Sequence, residues 1–209
     1  MNYTKPDITE PRDTVALIRK HLVIASVASI FALAIPLSLL HNASVEIYGI
    51  SEFGVHIDTA IPLGIGLFIA SFNIWAVANH LRSKATDAAV AQSFRAISIL
   101  IVLIVLTPYA IDTIFNWIHM VIGTLLFLDQ LALSIHVIKV CNRETKLVLL
   151  FALEIFGGIL AALSLPNHML SYMFQGEVLF QIGFALILFK GLAKLVGTES
   201  SPQTSIEGV

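Results

Sequence analysis

AISILIVLIVLTPYAIDTIFNWIHMVIGTLLFLDQLALSIHVI, running from Ala96 to Ile138, holds 43 residues without a lysine or arginine. One bilayer crossing takes about 20 apolar residues, so this stretch is long enough for two. Pro108, Asp112 and Asn116 interrupt it near its middle. Proline removes a backbone donor there, and Asp and Asn favour a turn. The stretch therefore predicts a transmembrane helical hairpin whose second arm carries Asp129 in mid-membrane.

The rest of the chain extends the pattern. Of 209 residues, 57% are hydrophobic and 12% charged, against about 25% charged in a soluble domain. The expected fold is all-α: a polytopic membrane protein built as a bundle of six transmembrane helices. The spans are expected at about 22–40, 60–80, 96–112, 117–138, 147–165 and 172–192, within a membrane domain of residues 21–196. Residues 1–20 read as a cytoplasmic N-terminal tail, with a helix starting near Asp13. Residues 197–209 read as a disordered cytoplasmic C-terminal tail. His41–Thr59 reads as a loop, and Pro62 falls in the first turn of the second span. Ala32-Leu33-Ala34 mimics a signal cleavage site, but the apolar run continues past it, so an uncleaved span is expected.

Orientation follows from the basic residues. Lys5, Arg12, Arg19 and Lys20 precede the first span; Arg82, Lys84, Arg95, Lys139, Arg143, Lys146, Lys190 and Lys194 flank the inner ends of the others. All 12 fall on one side of a six-span layout, which makes that side cytoplasmic. The plasma membrane is the expected home, since no retention or organelle signal is recognised. A net charge of -2 and the lack of a basic stripe argue against nucleic acid. The single Cys141 excludes an intrachain disulfide and reads as a reduced cytosolic thiol.

Polar groups at membrane depth mark two levels. Asp129 and Glu154 share one, with Asn73 at similar depth on the second span, Gln130 beside Asp129, and His136 on the face of Asp129. Such a cluster suits a proton, a cation or a polar substrate. Equally, a protonated carboxyl can pin two helices together, and Gly157-Gly158 near Glu154 favours close helix contact. The outer level holds His56, Asp58, Asp112, His119, His168 and Glu177, with Gln181 one turn beyond Glu177, and no basic residue. Imidazole and carboxylate are donors for a divalent metal, although no zincin spacing occurs. His21 and His41 end the first span, and His119 and His136 the fourth, an arrangement compatible with bis-histidine haem if those helices touch. No cofactor is required by any motif. No Gly-x-Ser-x-Gly and no Ser/His/Asp order suggests nucleophilic catalysis.

Three stretches resemble the DRAM/Frag/Sfk group of six-span membrane proteins and its bacterial relatives. They are Ser51-Glu52-Phe53-Gly54 followed by Pro62, His119 with Gly123, Leu125 and Phe127, and Glu177 near the outer face. The resemblance implies a non-enzymatic integral membrane protein linked to lipid organisation or membrane trafficking. The leading expectation is thus a multi-span protein acting through lipid or partner-protein contacts. The alternatives are a proton- or cation-coupled transporter of small solutes using Asp129 and Glu154, and a membrane metalloprotein with outer-face ligands.

Overall fold

A computed structural model describes residues 10–40, 43–83, 88–165 and 170–198. Its helices are α1 (Glu10–Leu39), α2 (Ala43–Tyr48), α3 (Ile57–Ser83), α4 (Ala88–Leu106), α5 (Thr113–Val140), α6 (Thr145–Ser164) and α7 (Met173–Thr198), with a 3-10 turn at Gly49–Gly54. Six of them are long and apolar enough to cross a membrane. This is the expected all-α six-helix bundle.

Successive spans alternate in direction. The described side chains of Arg19, Lys20, Arg82, Arg95, Lys139, Arg143, Lys146 and Lys190 consequently lie at the same end, called here the basic face. Helices α1, α3, α4, α5 and α7 pack in that order into a ring that closes where α7 meets α1, and α6 leans on α7 from outside. Toward the basic face the ring is filled by Leu22, Leu81, Phe94, Leu133 and Ile187.

Lipid offers helices no hydrophobic reason to associate, so contacts depend on small residues and polar links. Ala25, Ala28 and Ala70 form the α1–α3 contact, and Gly66 lies against the Ala28 carbonyl and Ala32. On α6 and α7, Gly157, Gly176 and Gly183 bring backbone against backbone. Ser71 and Ser98 clasp α3 to α4, each hydroxyl 2.9 Å from the other residue's carbonyl oxygen.

Several expected boundaries shift. The third span ends at Leu106, not at 112. Asn116 lies inside α5 and does not break it, while Asp112 caps that helix, its Oδ1 accepting from the Phe115 amide at 2.8 Å. Helix α3 begins at Ile57, which puts Pro62 in the second turn rather than the first. Helix α1 begins at Glu10, ahead of Asp13. The segment expected as a loop folds into α2 and the 3-10 turn at the face opposite the basic residues. Phe53, fully buried, anchors it among Ala32, Val45 and Leu63, with Phe174 edge-on at 5.9 Å.

Candidate functional site at the face opposite the basic residues

Two glutamates and a glycine set the shape of the 49–54 turn. Gly49 has φ 69°, a left-handed backbone that a side chain would strain. A Cβ at that position would also collide with the Glu177 carboxyl. Glu177 Oε2 in turn accepts from the Ile50 amide at 2.6 Å, tying the turn to α7.

The next residue faces α5. Ser51 Oγ is 2.7 Å from His119 Nε2, and His119 Nδ1 is 2.7 Å from the Thr107 carbonyl oxygen. A carbonyl can only accept, so Nδ1 carries the proton. In the neutral ring Nε2 is then bare and accepts from the Ser51 hydroxyl. His119 itself is buried.

Beside this pair, buried Glu52 accepts a hydrogen bond from the Tyr109 hydroxyl. Its other oxygen lies 3.6 Å from Nε2 of exposed His56. The Tyr109 ring stacks on Tyr48 at 5.7 Å and approaches the His119 ring at 6.0 Å. Burial and the Glu52 carboxyl hold the Tyr109 phenol above its ordinary 10.0. The turn, the α4–α5 connection and the start of α5 thus form one polar layer. Exposed Ile57, Ile114 and Trp117 flank it in the chain.

The outer residues singled out from sequence divide. His56, His119 and Glu177 all contact the turn or the residue it positions. Asp58 is exposed in the first turn of α3, Asp112 is a helix cap, and Gln181 pairs with Gln130 at 3.1 and 3.2 Å. His168 lies outside the described residues, as does His41. Among the described residues no three of His, Cys, Asp and Glu converge in a group that could hold a metal. Both ring nitrogens of His119 are engaged, and α1 and α5 are not among the helix pairs that pack closely. That geometry gives no support to the haem arrangement.

The intramembrane set is spread over several contacts. Asn73 Oδ1 meets His21 Nδ1 at 2.8 Å, and His21 stacks on His80 at 5.6 Å. Asp129 interacts with the Ser93 hydroxyl of α4. Glu154 lies instead beside Ser134 of α5 and Gly183 of α7, completely buried, and among the described residues neither carboxyl oxygen meets a hydrogen-bond partner in bonding geometry. His136 is half-buried on α5, two turns from Asp129 toward the basic face.

Sequence reasoning missed Tyr109, Thr107 and the pairing of Ser51 with His119. Ser51, His119 and Glu177 each stand in the stretches quoted above from the sequence, but nothing local to those stretches pairs them. Comparison with family models, curated proteins and solved structures returns no match.

Proposed function

We propose that this six-span integral membrane protein lies in the plasma membrane with its basic face and both termini toward the cytoplasm. It works through contact with a lipid headgroup at the outer face. One observation carries the reading: the hydroxyl, carboxyl and imidazole groups of Ser51, Glu52, His56, Tyr109 and His119 share one layer. Apolar Ile57, Ile114 and Trp117 beside it are exposed where acyl chains would run. Polar groups beside apolar ones suit a headgroup and its chains, and tryptophan is favoured at membrane interfaces. The outer connections contain no Lys or Arg, which favours a neutral or zwitterionic headgroup over an anionic one. The reading agrees with the lipid role implied by the resemblance to the DRAM/Frag/Sfk group.

Native mass spectrometry of the detergent-purified chain tests it. The expected result is a retained phospholipid that the double variant Glu52→Gln/Tyr109→Phe loses. Equal retention by both proteins would count against the reading.

A second reading, a proton- or cation-coupled carrier, is favoured by Glu154, whose two buried oxygens have no hydrogen-bond partner among the described residues, and to a lesser degree by Asp129, of which one oxygen is in that state. A buried carboxyl without a hydrogen-bond partner is costly, and intramembrane acids often mark an ion path. Asp129 faces a different helix and does not join Glu154. The expected outcome is pH-driven flux in proteoliposomes that Glu154→Gln abolishes; flux that survives the substitution would remove this reading.

A further inference from the structure

We propose that Ser51 is a nucleophile, that His119 is its general base, and that the outer layer cleaves a carboxylic ester of a membrane lipid. This rests on the reading that the layer meets a lipid, and goes beyond it by assigning a reaction.

A serine hydroxyl is a weak nucleophile unless a base takes its proton as it attacks, and a third group must orient that base. All three parts are present. The Ser51 hydroxyl lies 2.7 Å from His119 Nε2, within the range for proton transfer. The Thr107 carbonyl, 2.7 Å from Nδ1, holds the ring in the tautomer that leaves Nε2 bare. Here a backbone carbonyl does the orienting that a carboxylate does in the Ser-His-Asp arrangement. The three residues come from the 49–54 turn, the α4–α5 connection and α5, so tertiary packing creates the arrangement. Ser51 is half-buried rather than sealed, so part of the residue is open to its surroundings.

The lipid class follows from position. A substrate reaching a membrane-level site past exposed Ile57 and Trp117 arrives from the lipid phase. The bond in a lipid that a serine–histidine pair is suited to cleave is the acyl ester. Ser51 Oγ attacks the ester carbonyl carbon, and its proton passes to His119 Nε2. Collapse of the tetrahedral species breaks the bond to the alcohol oxygen, which leaves with that proton. Water then attacks the acyl-serine and gives a proton to Nε2. The second collapse expels the serine oxygen, which recovers that proton, and the fatty acid is released.

The test uses the full chain in nanodiscs of zwitterionic phospholipid, treated with a fluorophosphonate probe. Serine attack on phosphorus displaces fluoride and leaves a permanent adduct. The expected result is one adduct, on Ser51 by peptide mass spectrometry. Its formation should slow by about 100-fold or more in His119→Gln, on the scale of general-base catalysis. Added imidazole should partly restore it, which a purely structural histidine would not allow. Ser51→Ala should lose the adduct while remaining folded and monodisperse.

Absence of an adduct on Ser51 in protein that still holds its lipid overturns the catalytic assignment and leaves the lipid reading standing. A rate unchanged in His119→Gln likewise overturns it. Loss of both adduct and lipid from folded wild-type protein removes the two together. Should His119→Gln fail to fold, the decision passes to adduct formation in the wild type, measured against the Ser51→Ala protein.

Discussion

Tyr109 and Glu52 are joined by a hydrogen bond within the outer layer. The phenol supplies the donor for a buried carboxyl, and removing a donor from a buried acceptor costs about 1–3 kcal/mol. Tyr109→Phe should therefore lower the melting temperature of the purified protein; an unchanged temperature would mean that solvent replaces the lost donor. Protonation gives a second test. Burial and Glu52 raise the folded phenol above its ordinary 10.0. Folding thus binds this proton more tightly than the unfolded chain does. The resulting stability is complete below about pH 10 and is lost as the pH climbs toward the folded value. Ultraviolet titration should find that the phenolate signal appearing up to about pH 11 is the same in the wild type and in Tyr109→Phe. A smaller signal in the variant would show that Tyr109 ionises normally.

Among the elements, α6 and α7 depend most on the absence of side chains. A Cβ at Gly183 would stand 2.7 Å from the Glu154 amide nitrogen and 2.8 Å from its Cα. Both are backbone atoms, so relief requires the helices to separate. Gly183→Ala should cost about 1–3 kcal/mol by overpacking. Gly54→Ala, where no atom of the described residues lies within 4 Å, should be tolerated. Thermal unfolding of the two variants decides the point, and similar losses would contradict the packing described. The spans were legible in the sequence because length and apolarity suffice to define them in a bilayer. The 43–54 segment was not, because its order is tertiary. Phe53 needs a pocket from α1 and α3, and the Ile50 amide needs a carboxyl 127 positions away. His119 was identified as a candidate ligand, but its partner Ser51 lies 68 positions away and no local motif links them. Asp129 and Glu154 were expected at one level from their spacing to the flanking lysines, a count along each helix that carries no information on which neighbour each one faces: α4 for Asp129, α5 and α7 for Glu154.

On the scale of the whole molecule, the ring of five helices with α6 outside divides the protein into a basic face and a polar, cation-free face. If the first is cytoplasmic, a cysteine at Val55 should react with an impermeant maleimide added to intact cells, and one at Asn142 should not. Both residues are at exposed positions, and a Cys141→Ala background removes the native thiol. The reverse pattern would invert the protein and place the layer proposed to contact lipid inside. The most direct test of that layer as the working site is photo-crosslinking in membranes with a diazirine-bearing phospholipid, followed by mapping of the modified peptides. Adducts concentrated in residues 49–59 and 107–118, and reduced in Glu52→Gln/Tyr109→Phe, are the expected result. Adducts spread evenly along the lipid-exposed helices, indifferent to that double variant, would contradict the assignment of the site.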